Sequence, residues 1–196
     1  MPLMLALPDQ HPELQVELVL NDRWFDAVEE GIDVAVRIGP RPDARLVARR
    51  LGTSTQVCLA AHGEPRHAQA LAQHQCLVNV FVSPEESWTF AGPDGAITVP
   101  VRGPFRTNNI EAIRAAVLAG QGIAVGATWL FHDDIAAGRV KPILRSFVPA
   151  PLEICALHGP GVRQPAKVTE FAKLLAQRIP KIRELGALPR RWPADT

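Results

Sequence analysis

At 196 residues, with 47% hydrophobic and 21% charged content, the chain can bury one sizeable core or two small ones, which excludes a disordered polymer. Twenty-one Lys plus Arg against twenty Asp plus Glu leave a formal net charge of +1, so the overall basic field that supplies non-specific nucleic-acid affinity is excluded as well. No apolar run approaches the roughly 20 residues needed to cross a bilayer, and Pro8, Asp9 and His11 break up the N-terminal apolar stretch that an export signal would need.

In chain order, residues 14–20 alternate Leu14, Val16, Leu18 and Leu20 with Gln15 and Glu17, the pattern of a strand. A short helix is expected next, capped by Asn21 or Asp22, with Trp24, Ala27 and Val28 on its apolar side and Gly31 closing it. Ile32, Val34, Val36 and Ile38 then alternate along a second strand, so the order strand, helix, strand predicts a right-handed crossover and a parallel pair. Residues 40–50 are rich in Pro and Arg; Pro40 and Pro42 argue against a helix that would align Arg41, Arg45 and Arg49, leaving these as solvated loop charges. Residues 46–61 follow as mixed strand.

Residues 77–82 form a compact apolar strand, and Pro93-Asp94-Gly95 is a turn between strands at 88–90 and 97–101. The clearest helix follows Thr107: Asn108 caps it, Glu111 reaches back in a capping-box arrangement, and Ile110, Ile113, Val117 and Leu118 are its buried stripe. Gly120 or Gly122 ends it, a strand at 123–125 follows, and 128–137 is another helix closed by Gly138. Residues 152–157 are a strand and 168–179 an amphipathic helix with Phe171, Leu174 and Leu175 inward; beyond Pro180 the basic tail is expected to be mobile.

Most apparent motifs dissolve on spacing. Gly120-Gln121-Gly122 with Gly126 lies after a helix and before a strand, the reverse of a dinucleotide fingerprint, and acts as a helix terminator. His62, His67, His74 and Cys76 lack the paired spacing of a zinc site, so neither metal nor cofactor is expected. His132-Asp133-Asp134, inside a short helix, is better explained as solvent-facing charge than as an acid/base set. Cys58, Cys76 and Cys155 are odd in number and set among apolar residues, which suits buried, reduced thiols and a cytoplasmic setting. No catalytic residue is nominated.

What remains is geometric. In open parallel α/β sheets, ligands settle beyond the carboxyl ends of strands, where helix N-termini offer N–H groups. Asn21 and Asp22 follow the first strand, Arg37 and Gly39 close the second, Thr107 and Asn108 precede the capped helix, and Gly126, Ala127 and Thr128 follow the next strand. Two sets from two halves imply a cleft between lobes, and Arg37 with the helix N-termini points to an anion. Asn21, Asp22 and Asn108 would serve equally as ordinary helix caps.

His11-Pro12-Glu13-Leu14-Gln15-Val16-Glu17-Leu18, Phe25-Asp26-Ala27-Val28-Glu29-Glu30-Gly31-Ile32-Asp33-Val34-Ala35-Val36-Arg37-Ile38-Gly39 and Leu46-Val47-Ala48-Arg49-Arg50-Leu51 resemble the first lobe of a LysR-type effector-binding domain. Residues 108–125 resemble the second-lobe helix and strand, Ala137-Gly138-Arg139-Val140 the next helix end, and the likeness runs from about residue 3 to 179. The resemblance implies an α/β fold similar to type 2 periplasmic-binding proteins: two Rossmann-like lobes joined by two crossing strands, near 57–61 and 154–158. Lobe 1 would hold residues 1–58 and 156–183, lobe 2 residues 59–155, and 184–196 would be a flexible tail. It further implies a non-enzymatic sensor whose small-molecule effector, often a carboxylate, sits between the lobes, in a homodimer that meets DNA only through an N-terminal helix-turn-helix. The chain departs from the family in starting after that domain, the linker helix and the first strand of lobe 1. A gene fragment that no longer functions or a start codon assigned too far downstream would explain the departure, and the missing strand would leave a gap beside residues 14–20. A solute-binding protein of the same architecture and an enzyme on this frame are the rival readings.

Overall fold

The computed structural model describes residues 7, 11–12, 15–22, 30–40, 46–61, 63–159, 166–182 and 185–186. Along the chain run β1 (Ala35–Ile38), β2 (Val47–Ser54), β3 (Gln56–Ala60), β4 (Val78–Asn79), β5 (Ser87–Gly92), β6 (Gly95–Pro100) and β7 (Arg106–Thr107). They are followed by α1 (Ile110–Leu118), β8 (Ala124–Ala127), α2 (Thr128–Ala136), β9 (Lys141–Ile143), β10 (Val148–Pro149), β11 (Leu152–His158) and α3 (Ala166–Arg178).

These elements sort into two lobes. The first is an antiparallel sheet in the order β1-β11-β2, whose Leu51, Ile154 and Ala156 pack against Leu175 and Ile179 at the α3 side. The second contains the sheets β8-β3-β9 and β10-β5-β6 and the parallel pair β4-β7. Its central strand β3 is buried along its whole length. Period-two alternation sends Cys58 and Ala60 into one apolar cluster, with Phe90 and Val101, and Val57 and Leu59 into another, with Ile113, Val117, Phe131 and Ile135. A strand apolar on both faces has to sit between two layers, and that requirement fixes α1 and α2 on one side of it.

The lobes exchange the chain twice. β2 lies in the first sheet and β3 in the second, so the changeover falls at Thr55; the return lies between β10 and β11, at Ala150 and Pro151. The family resemblance puts these crossings later, at 57–61 and 154–158, because a likeness of motifs marks which strands lie near the crossing but not the residue at which the chain changes sheets.

Other expectations change on the same ground. Residues 15–20 form no strand: Val16, Leu18, Val19 and Leu20 are 42%, 43%, 51% and 80% exposed, and among the described residues no ladder pairs with them. β1 pairs antiparallel with β11, and the expected parallel pair with 14–20 is absent among the described residues. The apolar period names the face a strand would bury, yet a strand also needs a neighbour for its N–H and C=O groups. The strand expected over 77–82 shortens to β4, because residues 80–82 turn, with the Val82 and Ser83 N–H groups donating to the Asn79 carbonyl. Arg49 is exposed but lies on β2 instead of in a loop.

The second-half pattern otherwise matches: the 93–95 turn joins β5 to β6, α2 ends before Gly138 at φ +69°, and α3 buries Leu175 against the first sheet. All three cysteines are free and buried. The expected helix at 23–29, Arg41, Arg45 and tail residues 187–196 lie outside the described residues.

Candidate functional site

A cavity of about 230 Å³ lies between the lobes. From lobe 1 it takes Asn21, Asp22 and the end of β1 with Arg37; from lobe 2, Asn79 and Phe81, the start of α1 with Asn108, and the β8–α2 junction with Gly126 and Ala127. The walls come together where the chain passes between the sheets, with Gln56 following the Thr55 changeover and Leu152 following the return.

Contacts across the gap hold the walls in register. The Arg37 guanidinium stacks over the Phe81 ring, its Cζ 4.2 Å from the centroid. Asn108 Nδ2 donates to the Asp22 carbonyl at 3.2 Å, and Asn109 Nδ2 donates to the Asp22 carboxylate. Trp129, which lines the cavity, donates its Nε1 to Ser54 Oγ at 3.1 Å, and the Thr128 N–H donates to the Thr55 carbonyl at 3.0 Å, tying the first turn of α2 to the changeover.

The helix start corrects the expected capping. Asn109, not Asn108, is the N-cap of α1: its Oδ1 accepts from the Ala112 N–H at 2.8 Å. Thr107 Oγ1 accepts from the Asn109 N–H at 3.1 Å and braces that residue. Glu111 therefore falls at the second helical position, where it pairs with Arg114 at 3.6 Å instead of closing a capping box. Shifting the cap by one residue frees Asn108 to reach across the cleft.

Burial lowers the Arg37 pKa from its ordinary value while the negative charge of Asp22 opposes the shift. Guanidinium groups titrate so high that Arg37 keeps its charge throughout the physiological range. Its fixed positive charge beside a mostly apolar cavity can attract a carboxylate, while its Nε and Nη2 are buried from water.

Of the nine residues expected at the site, Asn21, Asp22, Arg37, Asn108, Gly126 and Ala127 line the cavity. Gly39, Thr107 and Thr128 do not. Gly39 is buried, its N–H donating to the Glu153 carbonyl at 2.9 Å; Thr107 braces Asn109; and Thr128 is fully buried at the first turn of α2. Gln56, Asn79, Phe81 and Trp129 are additional lining residues. Gln56 and Asn79 had a readable signal, each a polar residue within an apolar strand, whereas the role of Phe81 depends on a turn that brings it over Arg37.

His132-Asp133-Asp134 stands apart from the cavity. Asp133 is exposed as expected, but Asp134 is 1% exposed, held by Arg114 and Arg139, so it is not solvent-facing. Its carboxylate ties α1 to α2.

The family model described as "LysR substrate binding domain" matches residues 1–180. The chain belongs to that family. LysR-type relatives include the transcriptional regulators DmlR of Escherichia coli, 31% identical over 183 residues, and PtxR of Pseudomonas aeruginosa, 32% identical over 176. These alignments cover 90% and 87% of this chain but 59% and 56% of the regulators, so the chain spans little more than half their length. Among solved structures, the regulatory domain of AphB from Vibrio vulnificus superposes at a TM-score of 0.71 with 27% identity, covering 90% of each chain. The regulatory domain of CrgA from Neisseria meningitidis reaches 0.76 over 90% of each chain at 24% identity, a likeness of fold. The two-lobed α/β architecture is that of LysR regulatory domains. Among the described residues, no helix is long and apolar enough to cross a membrane.

Proposed function

We propose that this LysR-family chain is the effector-sensing domain of a transcriptional regulator, binding a small carboxylate in the cleft between its lobes. The observation that carries this reading is the inter-lobe cavity itself, with the Arg37 cation in a mostly apolar wall and polar strand-end groups arriving from both lobes. Effector bound there touches both lobes and therefore has different affinity for different lobe separations, which is the condition for shifting a conformational equilibrium. That shift would reach DNA through a separate N-terminal domain of the kind the longer relatives' names imply, in a side-by-side homodimer. Lobe 1 comprises β1, β2, β11 and α3 and lobe 2 β3 to β10 with α1 and α2, the changeovers at Thr55 and at 150–151 falling a few residues before the limits 58/59 and 155/156 expected from the sequence.

A thermal-shift screen of small carboxylates, amines and neutral compounds tests the proposal. Carboxylates should raise the melting temperature and Arg37→Ala should abolish the gain. Stabilisation by neutral or cationic compounds alone would refute the anion site.

A further inference from the structure

We infer that Asp22 makes the cleft selective for a zwitterionic amino acid with an apolar side chain, its carboxylate meeting the ligand ammonium while Arg37 meets the ligand carboxylate. This rests on the reading that Arg37 anchors an anion. Among the described residues lining the cavity, the ionisable ones are Asp22 and Arg37, one of each sign. A zwitterion matches both charges.

Asp22 is held where such a contact requires it. Its carbonyl accepts from Asn108 and its carboxylate Oδ2 from Asn109, both at the start of α1, so its place is fixed from the opposite lobe. A carboxylate has about four lone-pair sites, and a single amide N–H leaves acceptor capacity for an ammonium group. Asp22 is open to water, so its charge is hydrated; a molecule filling the cavity removes part of that hydration. A plain carboxylic acid would then compete with Asp22 for the charge of Arg37 and bring no cation of its own, and a dicarboxylate would set a second anion beside Asp22.

The rest of the wall selects the side chain. Phe81, Trp88, Ile113, Leu130 and Phe131 form an apolar surface between these polar groups. The volume of about 230 Å³ lies below the usual range of roughly 300–1,000 Å³ for ligand pockets, which favours a molecule of amino-acid size.

Matched pairs that differ only by the amino group test this with the full chain by isothermal titration calorimetry: valine and 3-methylbutanoate, leucine and 4-methylpentanoate, phenylalanine and 3-phenylpropanoate. In at least one pair the amino acid should bind about tenfold or more tighter than its deamino partner, since a site built to meet a polar group discriminates against the analogue lacking it. Asp22→Asn keeps an acceptor oxygen for Asn109 and the main-chain carbonyl for Asn108, so circular dichroism should match the wild type, while the preference falls to within about twofold. Deamino acids that bind as tightly as their partners, or a preference unchanged in Asp22→Asn, overturn the zwitterion inference and leave the carboxylate site standing. If no amino acid and no carboxylate of the panel binds, both readings fall together.

Discussion

Replacing Asp134 by alanine should destabilise the second lobe more than any exposed charge substitution. Its buried carboxylate accepts four charged hydrogen bonds: from Arg114 Nε at 2.6 Å and Nη2 at 3.0 Å, and from Arg139 Nε at 2.9 Å and Nη2 at 2.6 Å. Breaking a fully buried pair costs about 3–5 kcal/mol. Here the side chains of Arg114 and Arg139 are 32% and 52% exposed and can recover water once their partner is gone, which brings the expected loss to about 2–3 kcal/mol. For a chain of this size that is a fall of roughly 4–12 °C in melting temperature. Burial pushes the Asp134 pKa up, but the hydrogen bonds and charges of Arg114 and Arg139 outweigh it and hold the group below the usual carboxylate range. A depressed folded-state pKa contributes stability above the unfolded value of about 3.9 and loses it as pH falls below that. The gap between wild type and Asp134→Ala should therefore be constant near neutrality and narrow below about pH 4. Circular dichroism melts from pH 3 to 8 give both quantities, with Glu170→Ala, which removes the exposed Lys173 pair, as a control expected within about 0.5 kcal/mol. A loss no larger than that control would refute the clamp between α1 and α2.

Asn109→Ala removes the α1 cap and one bond across the cleft, and should cost about 1 kcal/mol, read from urea unfolding midpoints; an unchanged midpoint would deny the capping role. Gly126→Ala would set a Cβ 2.5 Å from Phe131 Cε2, a buried ring that would have to move, so a loss of about 1–3 kcal/mol is expected; a variant as stable as wild type would contradict that packing. Leu20→Lys, at a position 80% exposed, should change stability by less than about 0.5 kcal/mol, and a large loss would place Leu20 in a core. Burial raises the Cys58 thiol far above its usual range and the Cys76 thiol to about 11, so native-state alkylation at pH 8 should leave both unmodified by mass spectrometry until denaturant is added. Prompt native labelling would refute their inertness.

What the sequence determined by itself is periodic and local. Alternation in β5 and β6 and the stripe of Ile113 and Val117 in α1 are set by backbone geometry that repeats every two or 3.6 residues, so they could be read without a partner in view. Polar residues at strand ends likewise placed six of the nine expected residues at the cavity, because hydrogen-bonding side chains gather where a ladder stops and its N–H and C=O groups lose their neighbours. Pairing was decided only in three dimensions. Residues 15–20 carry a strand's pattern without a ladder, β1 lies antiparallel to a strand over a hundred residues away, and Asp134 is buried because Arg114 and Arg139 converge on it from beyond its own helix. The stack of Arg37 on Phe81 and the bonds from Asn108 and Asn109 to Asp22 join groups whose spacing along the chain holds no signal, since their meeting depends on how two separately packed lobes face each other.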